Sequence, residues 1–128
     1  MRKLTKHIVP GDTAPQLDIF VLDEPGQGNA CHKYRIENAD DVENPGQDIT
    51  YYCNFNFQNG PIKEVGINGI TQESLLAILI DRLEGFQSGP YASEDNMKAL
   101  FHIETALKYL QNRTLDRIAR NVEGTNQK

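Results

Sequence analysis

Arg113, Arg117 and Arg120 stand at i, i+4 and i+7 near the end of this 128-residue chain. On a helix that spacing puts all three on one face. The rest of the chain is acidic, with 13 Lys+Arg against 18 Asp+Glu and a formal net charge of −5. A local positive strip on such a background suits a phosphate-bearing ligand, because the planar, permanently charged guanidinium matches phosphate oxygens bidentately. The same strip also fits a solvated helix end, where cations suit the helix dipole and Asp116 and Glu123 are available as weak ion-pair partners. Spacing alone leaves both readings open.

Two further residues carry binding chemistry. Phe86 and Asn96 flank the bend expected between two helices. An aromatic ring and an amide there either staple and cap the bend, or stack a base and read its edge. The composition disfavours bulk DNA or RNA binding, which calls for a dominant basic face. Signatures of catalysis are missing. His7, His32 and His102 are scattered without metal spacing, and Cys31-His32 with Cys53 supplies too few ligands for zinc. Gly26-Gln-Gly28 lacks the strand-to-helix setting of a dinucleotide loop. The reading is therefore no catalytic residue, no metal and no cofactor. Cys31 and Cys53 are expected as reduced core residues. The start of the chain is basic without an apolar stretch, and no apolar run is long enough to span a membrane, so neither a signal peptide nor a membrane anchor is expected.

The elements that position these residues divide near residue 70, with a β-rich portion over 1–70 and a helical one over 71–128, folded as one α+β domain. Strands are expected at 17–22, 31–36 and 49–57. In the last, Ile49, Tyr51, Cys53, Phe55 and Phe57 alternate with polar or outward positions. Asn59-Gly60 suits a turn, and 62–67 is expected to return as a partner strand. Residues 40–47 read as a surface loop. Together they predict a small antiparallel sheet.

Thr71 is a good N-cap, with Glu73 in the first turn. Leu75, Leu76, Ile78, Leu79, Leu83 and Phe86 give a wide apolar stripe, and Ser88-Gly89-Pro90 stops the helix. Ser93 caps a second helix, with Leu100, Ile103, Leu107, Leu110 and Ile118 as its core face, running to about Arg120 or Asn121. A link this short makes the pair an antiparallel hairpin. His102, Ala106, Tyr109, Arg113, Arg117 and Arg120 form a second stripe about a third of a turn away. Asn96 and Arg113 are 17 residues apart, about 25 Å along one helix axis. One chain cannot place both on a small ligand. Antiparallel pairing of two chains can, so a pocket at a homodimer interface is the condition for Phe86, Asn96, Arg113 and Arg117 to act together.

Ser93-Glu-Asp-Asn96 opening a helix, Arg113-Thr-x-x-Arg117 near its end and the closing Asn121-Val-Glu-Gly-Thr125 resemble the hairpin domain shared by two kinds of phage sponge. One is the anti-CBASS sponge of cyclic nucleotides. The other is the Thoeris anti-defence sponge, which carries a β-rich portion of this length before the hairpin. The resemblance implies a non-enzymatic protein of the infected bacterial cytoplasm. It would bind cyclic ADP-ribose isomers intact, so that the Thoeris effector is never activated. It implies a homodimer, in some members a hexamer built as a trimer of dimers, and in some relatives a separate site for cyclic di- or trinucleotides. Carried over, Phe86 would stack on the adenine, Asn96 would contact the ligand through its amide, and Arg113 and Arg117 would hold the pyrophosphate and ribose side. It gives no role for the stretch from Val122 to Thr125. Two other readings predict different behaviour: an enzyme cleaving a cyclic nucleotide, and a dimeric interaction module that binds none.

Overall fold

The computed structural model describes residues 1–12, 17–38 and 51–128. Contacts divide the chain into two compact units, Met1–Asn59 and Gly60–Lys128. The first is an antiparallel sheet and the second is helical, an α+β protein as the sequence predicts.

The sheet holds β1 (Arg2–Leu4), β2 (Leu17–Val21), β3 (Lys33–Asn38) and β4 (Tyr51–Asn56), side by side in that order. The register places Ile19 opposite Ile36, Val21 opposite Tyr34, and Tyr34 opposite Phe55. Alternation collects these side chains on one face, where Tyr34, Phe55 and Phe57 touch ring to ring at centroid distances of 5.5–5.7 Å. Val21 is the most buried side chain of this unit. The opposite face is polar. Lys3 pairs with Asp18 at 3.2 Å and lies over the Phe20 ring, and Arg35 donates to Asn54.

The turn from β2 to β3 is organised by Asp23. Its carboxylate accepts from the backbone N–H groups of His32 (2.9 Å) and Lys33 (3.1 Å). Gly28 and Asn29 both take positive φ there, so Gly26-Gln-Gly28 serves a strand-to-strand turn. Cys31 is buried, but Cys53 is exposed on the terminal strand of the described sheet, which corrects its assignment to the core. Both thiols are free.

The expected strand over 62–67 is instead a single helical turn, α1 (Ile62–Val65). Its β-branched residues favour a strand, but two neighbours decide otherwise. Pro61 has no N–H to give a ladder, and its carbonyl accepts from Glu64 and Val65. Gly66, at φ 75°, closes the turn by donating to the carbonyl of Ile62. Ile49, Thr50 and the loop over 40–47 lie outside the described residues.

Two long helices follow, α2 (Gln72–Gln87) and α3 (Glu94–Ala119). Both start at the expected caps, with Thr71 Oγ1 accepting from the Ser74 N–H and Ser93 Oγ from the Asn96 N–H. Gln87 locks the bend, donating to the Ser93 carbonyl and accepting from the Ser93 N–H. Leu75, Leu76, Ile80, Leu83 and Phe86 on α2, and Leu100, Ile103, Leu107, Leu110 and Thr114 on α3, are half-buried. Ile78, Leu79 and Ile118, expected on the core stripes, are exposed. In a single copy neither helix has a fully buried side chain, because two helices alone cover only one stripe of each other.

Helix α3 ends in a Schellman arrangement. Asn121, at φ 59°, donates to the Ile118 carbonyl, and Val122 donates to that of Arg117. The chain then folds back. Gly124, at φ 76°, accepts from the Lys63 N–H at 3.1 Å, tying the closing segment to α1.

Candidate ligand-binding site

At the bend, Phe86 is half-buried, and the Arg82 guanidinium lies 4.9 Å from its ring centroid. This cation–π contact holds the ring and leaves an aromatic surface beside a positive charge. Asn96 is half-buried in the first turn of α3, and its amide donates to the Tyr91 carbonyl at 3.4 Å. The backbone N–H of Asn96 is capped by Ser93, and the Asn96 amide oxygen has no hydrogen-bond partner among the described residues.

The arginines lie at the other end. Helix α3 runs unbroken from Glu94 to Ala119, so one copy keeps Asn96 and Arg113 about 25 Å apart. The structure therefore brings Phe86 and Asn96 to one end of the hairpin and Arg113 and Arg117 to the other. Arg113 is exposed, and its guanidinium has no partner among the described residues. Arg120 is tied to Asp116 at 3.0 Å.

Arg117 differs sharply from both. Only 20% of its side chain is exposed. Nε donates to Glu123 Oε2 at 2.9 Å, Nη2 to the carbonyls of Val122 and Thr125, and Nη1 to that of Gln127. Spacing missed this clasp because most of its acceptors are main-chain oxygens. The signal in hindsight is Asn121 with Gly124, two residues that tolerate the positive φ needed to fold the chain back over the helix end. Among the described residues, no group of three or more His, Cys, Asp or Glu is placed to hold a metal ion.

A small antiparallel sheet followed by a helical hairpin defines the class: an α+β protein. The hairpin settles the family. Residues 51–115 match the family described as Acb2/Tad1, hairpin domain, and the chain belongs to it. Over 73 residues the chain is 44% identical to a protein named Thoeris anti-defense 1 from Bacillus phage SBSphiJ7. That match covers 57% of this chain and 51% of the relative, so the chain spans about half the length of that curated relative. Phe86, Asn96 and Arg113 lie inside the family match, whereas Arg117 and the segment it holds lie beyond it.

Proposed function

We propose that this protein is a phage anti-defence sponge. It binds cyclic ADP-ribose-type immune signals and holds them unconverted in the cytoplasm of the infected bacterium, denying them to the Thoeris effector. The observation that carries the reading is Arg113, exposed and unpartnered among the described residues, on a hairpin of the Acb2/Tad1 family. The name of the 44%-identical relative, Thoeris anti-defense 1, supports it.

The site is formed by two copies. Phe86 and Asn96 of one copy take the base, and Arg113 and Arg117 of the other take the anionic side. Two facts support this pairing: the length of α3 separates the two groups, and no side chain of α2 or α3 is fully buried in one copy. Further association of dimers into a hexamer, and a separate site for cyclic di- or trinucleotides, belong to the same proposal.

Magnitudes favour a closed pocket. Nanomolar capture needs about −12 kcal/mol. Two charge-assisted arginine contacts supply roughly 3–6 kcal/mol, and one stacked base about 1–3 kcal/mol. Burial between preformed walls must supply the remainder.

The test is calorimetric titration of the protein with cyclic ADP-ribose isomers made by a TIR-domain enzyme. Phe86→Ala and Arg113→Ala should each weaken binding at least about fivefold, the loss of one stacking or charge-assisted contact, with an unchanged helical spectrum. Full affinity in either variant would overturn the site. Cyclic trinucleotides titrated in parallel test the separate site.

A further inference from the structure

The clasp around Arg117 has a consequence for ligand selection, and the inference rests on the reading that the arginine end takes phosphate. A guanidinium offers five N–H donors. Here Nε serves Glu123, both Nη2 donors serve Val122 and Thr125, and one Nη1 donor serves Gln127. A single Nη1–H is left, and it is not adjacent to Nε–H. A phosphate oxygen therefore gains the Nε donor of Arg117, one charge-assisted contact, only when Glu123 leaves.

The acceptors are not equally able to leave. The Val122 carbonyl is held within the closing turn, where it also accepts from the N–H and hydroxyl of Thr125, and Val122 itself is anchored to α3 through its N–H. Glu123 is held by its side chain alone, which is 42% exposed. Rotation into water costs that carboxylate little, because bulk solvent replaces the contact. It is also the one acceptor among the four with a full negative charge, the same sign as the ligand.

We infer that Glu123 is an internal competitor for the anionic ligand. In the empty protein its carboxylate occupies the Nε edge of Arg117, and a phosphate group takes that edge by displacing it. The main-chain carbonyls keep the guanidinium in place during the exchange. The device selects by charge. A pyrophosphate carries more charge and more acceptor oxygens than a carboxylate and displaces Glu123. A ligand offering one carboxylate exchanges like for like and gains nothing. Glu123 is thus a specificity-determining residue, and Arg113 provides the open arginine of the pair.

The experiment follows the Arg117 Nε–H resonance by ¹H–¹⁵N NMR while inorganic pyrophosphate, and separately acetate, is added to the full chain. Glu123→Gln keeps the shape of the side chain and removes its charge. The expected result is a pyrophosphate-dependent shift in both proteins, with the half-saturating concentration lowered about two- to fivefold in Glu123→Gln, and no response to acetate in the wild type. A half-saturating concentration unchanged or raised in the variant overturns the inference, since a purely structural Glu123 would loosen the site on removal. Absence of any pyrophosphate shift in both proteins also overturns it. Retention of cyclic ADP-ribose isomers is measured separately on the same two proteins. Pyrophosphate exchange without isomer retention upholds the competitor and removes the sponge reading. Isomer retention with an unchanged pyrophosphate response in Glu123→Gln removes the competitor and leaves the sponge.

Discussion

Ala106→Glu is expected to split the protein into single chains. If Asn96 of one copy meets Arg113 or Arg117 of the other, the two-fold axis crosses α3 midway between those positions, within residues 104–107. In that stretch Ala106 belongs to the arginine stripe, so it faces its own counterpart across the axis. Its small side chain allows close approach of the two helices. Glutamate there sets two carboxylates about 6 Å apart. At an effective dielectric constant of about 20 their repulsion is about 3 kcal/mol, and the desolvation of both adds to it. That energy raises the dimer dissociation constant roughly 100-fold. Sedimentation equilibrium across a range of protein concentrations reads the change directly. Glutamate is a good helix former and Ala106 is exposed in a single copy, so circular dichroism should remain that of the parent. Ala106→Gln, of similar size but uncharged, should weaken the dimer less. An Ala106→Glu protein that sediments as the parent does would refute the antiparallel pairing and with it the shared pocket.

Three other substitutions test the scaffold. Ser93→Ala removes the side-chain cap from the Asn96 N–H and should cost about 1 kcal/mol, seen as a lower thermal midpoint. Gly124→Ala puts a β-carbon into a residue at φ 76°, 3.0 Å from Lys63 Cγ. It should destabilise the closing segment by about 1–2 kcal/mol, read as faster amide exchange at Thr125 with little change in α2. Asp23 gives a pH dependence. Desolvation pushes its carboxyl up, but the backbone N–H groups of His32 and Lys33 outweigh that and hold it below the usual carboxylate range. A carboxyl depressed on folding contributes stability above its unfolded value of about 3.9 and loses it as pH falls through the lower folded value. Chemical denaturation of the wild type should therefore weaken below about pH 4, and Asp23→Asn should flatten that acid limb.

What was legible in the sequence follows the range of the forces involved. The caps Thr71 and Ser93 were readable because an N-cap is decided within four residues. Strands β2, β3 and β4 showed through alternation and turn residues. β1 did not, since three residues with two lysine-type charges show no such pattern. The misread strand over 62–67 shows local chemistry overruling β-branched composition, with Pro61 and Gly66 fixing a helical turn. Ile78, Leu79 and Ile118 fall on the apolar stripes yet are exposed, because periodicity marks an apolar face without saying what covers it. Among the candidate site residues, the positions of Phe86, Asn96 and Arg113 on the hairpin could be read from helix length and caps. The clasp of Arg117 could not, because it depends on carbonyls brought back by a chain reversal beyond the helix.

Intact capture is tested by retention and release. The purified protein is incubated with a cyclic ADP-ribose isomer, freed of unbound ligand, denatured by heat, and its supernatant analysed by mass spectrometry. A sponge returns the isomer at its original mass, released only after heating. A cleaved product, or no isomer retained at all, would contradict it.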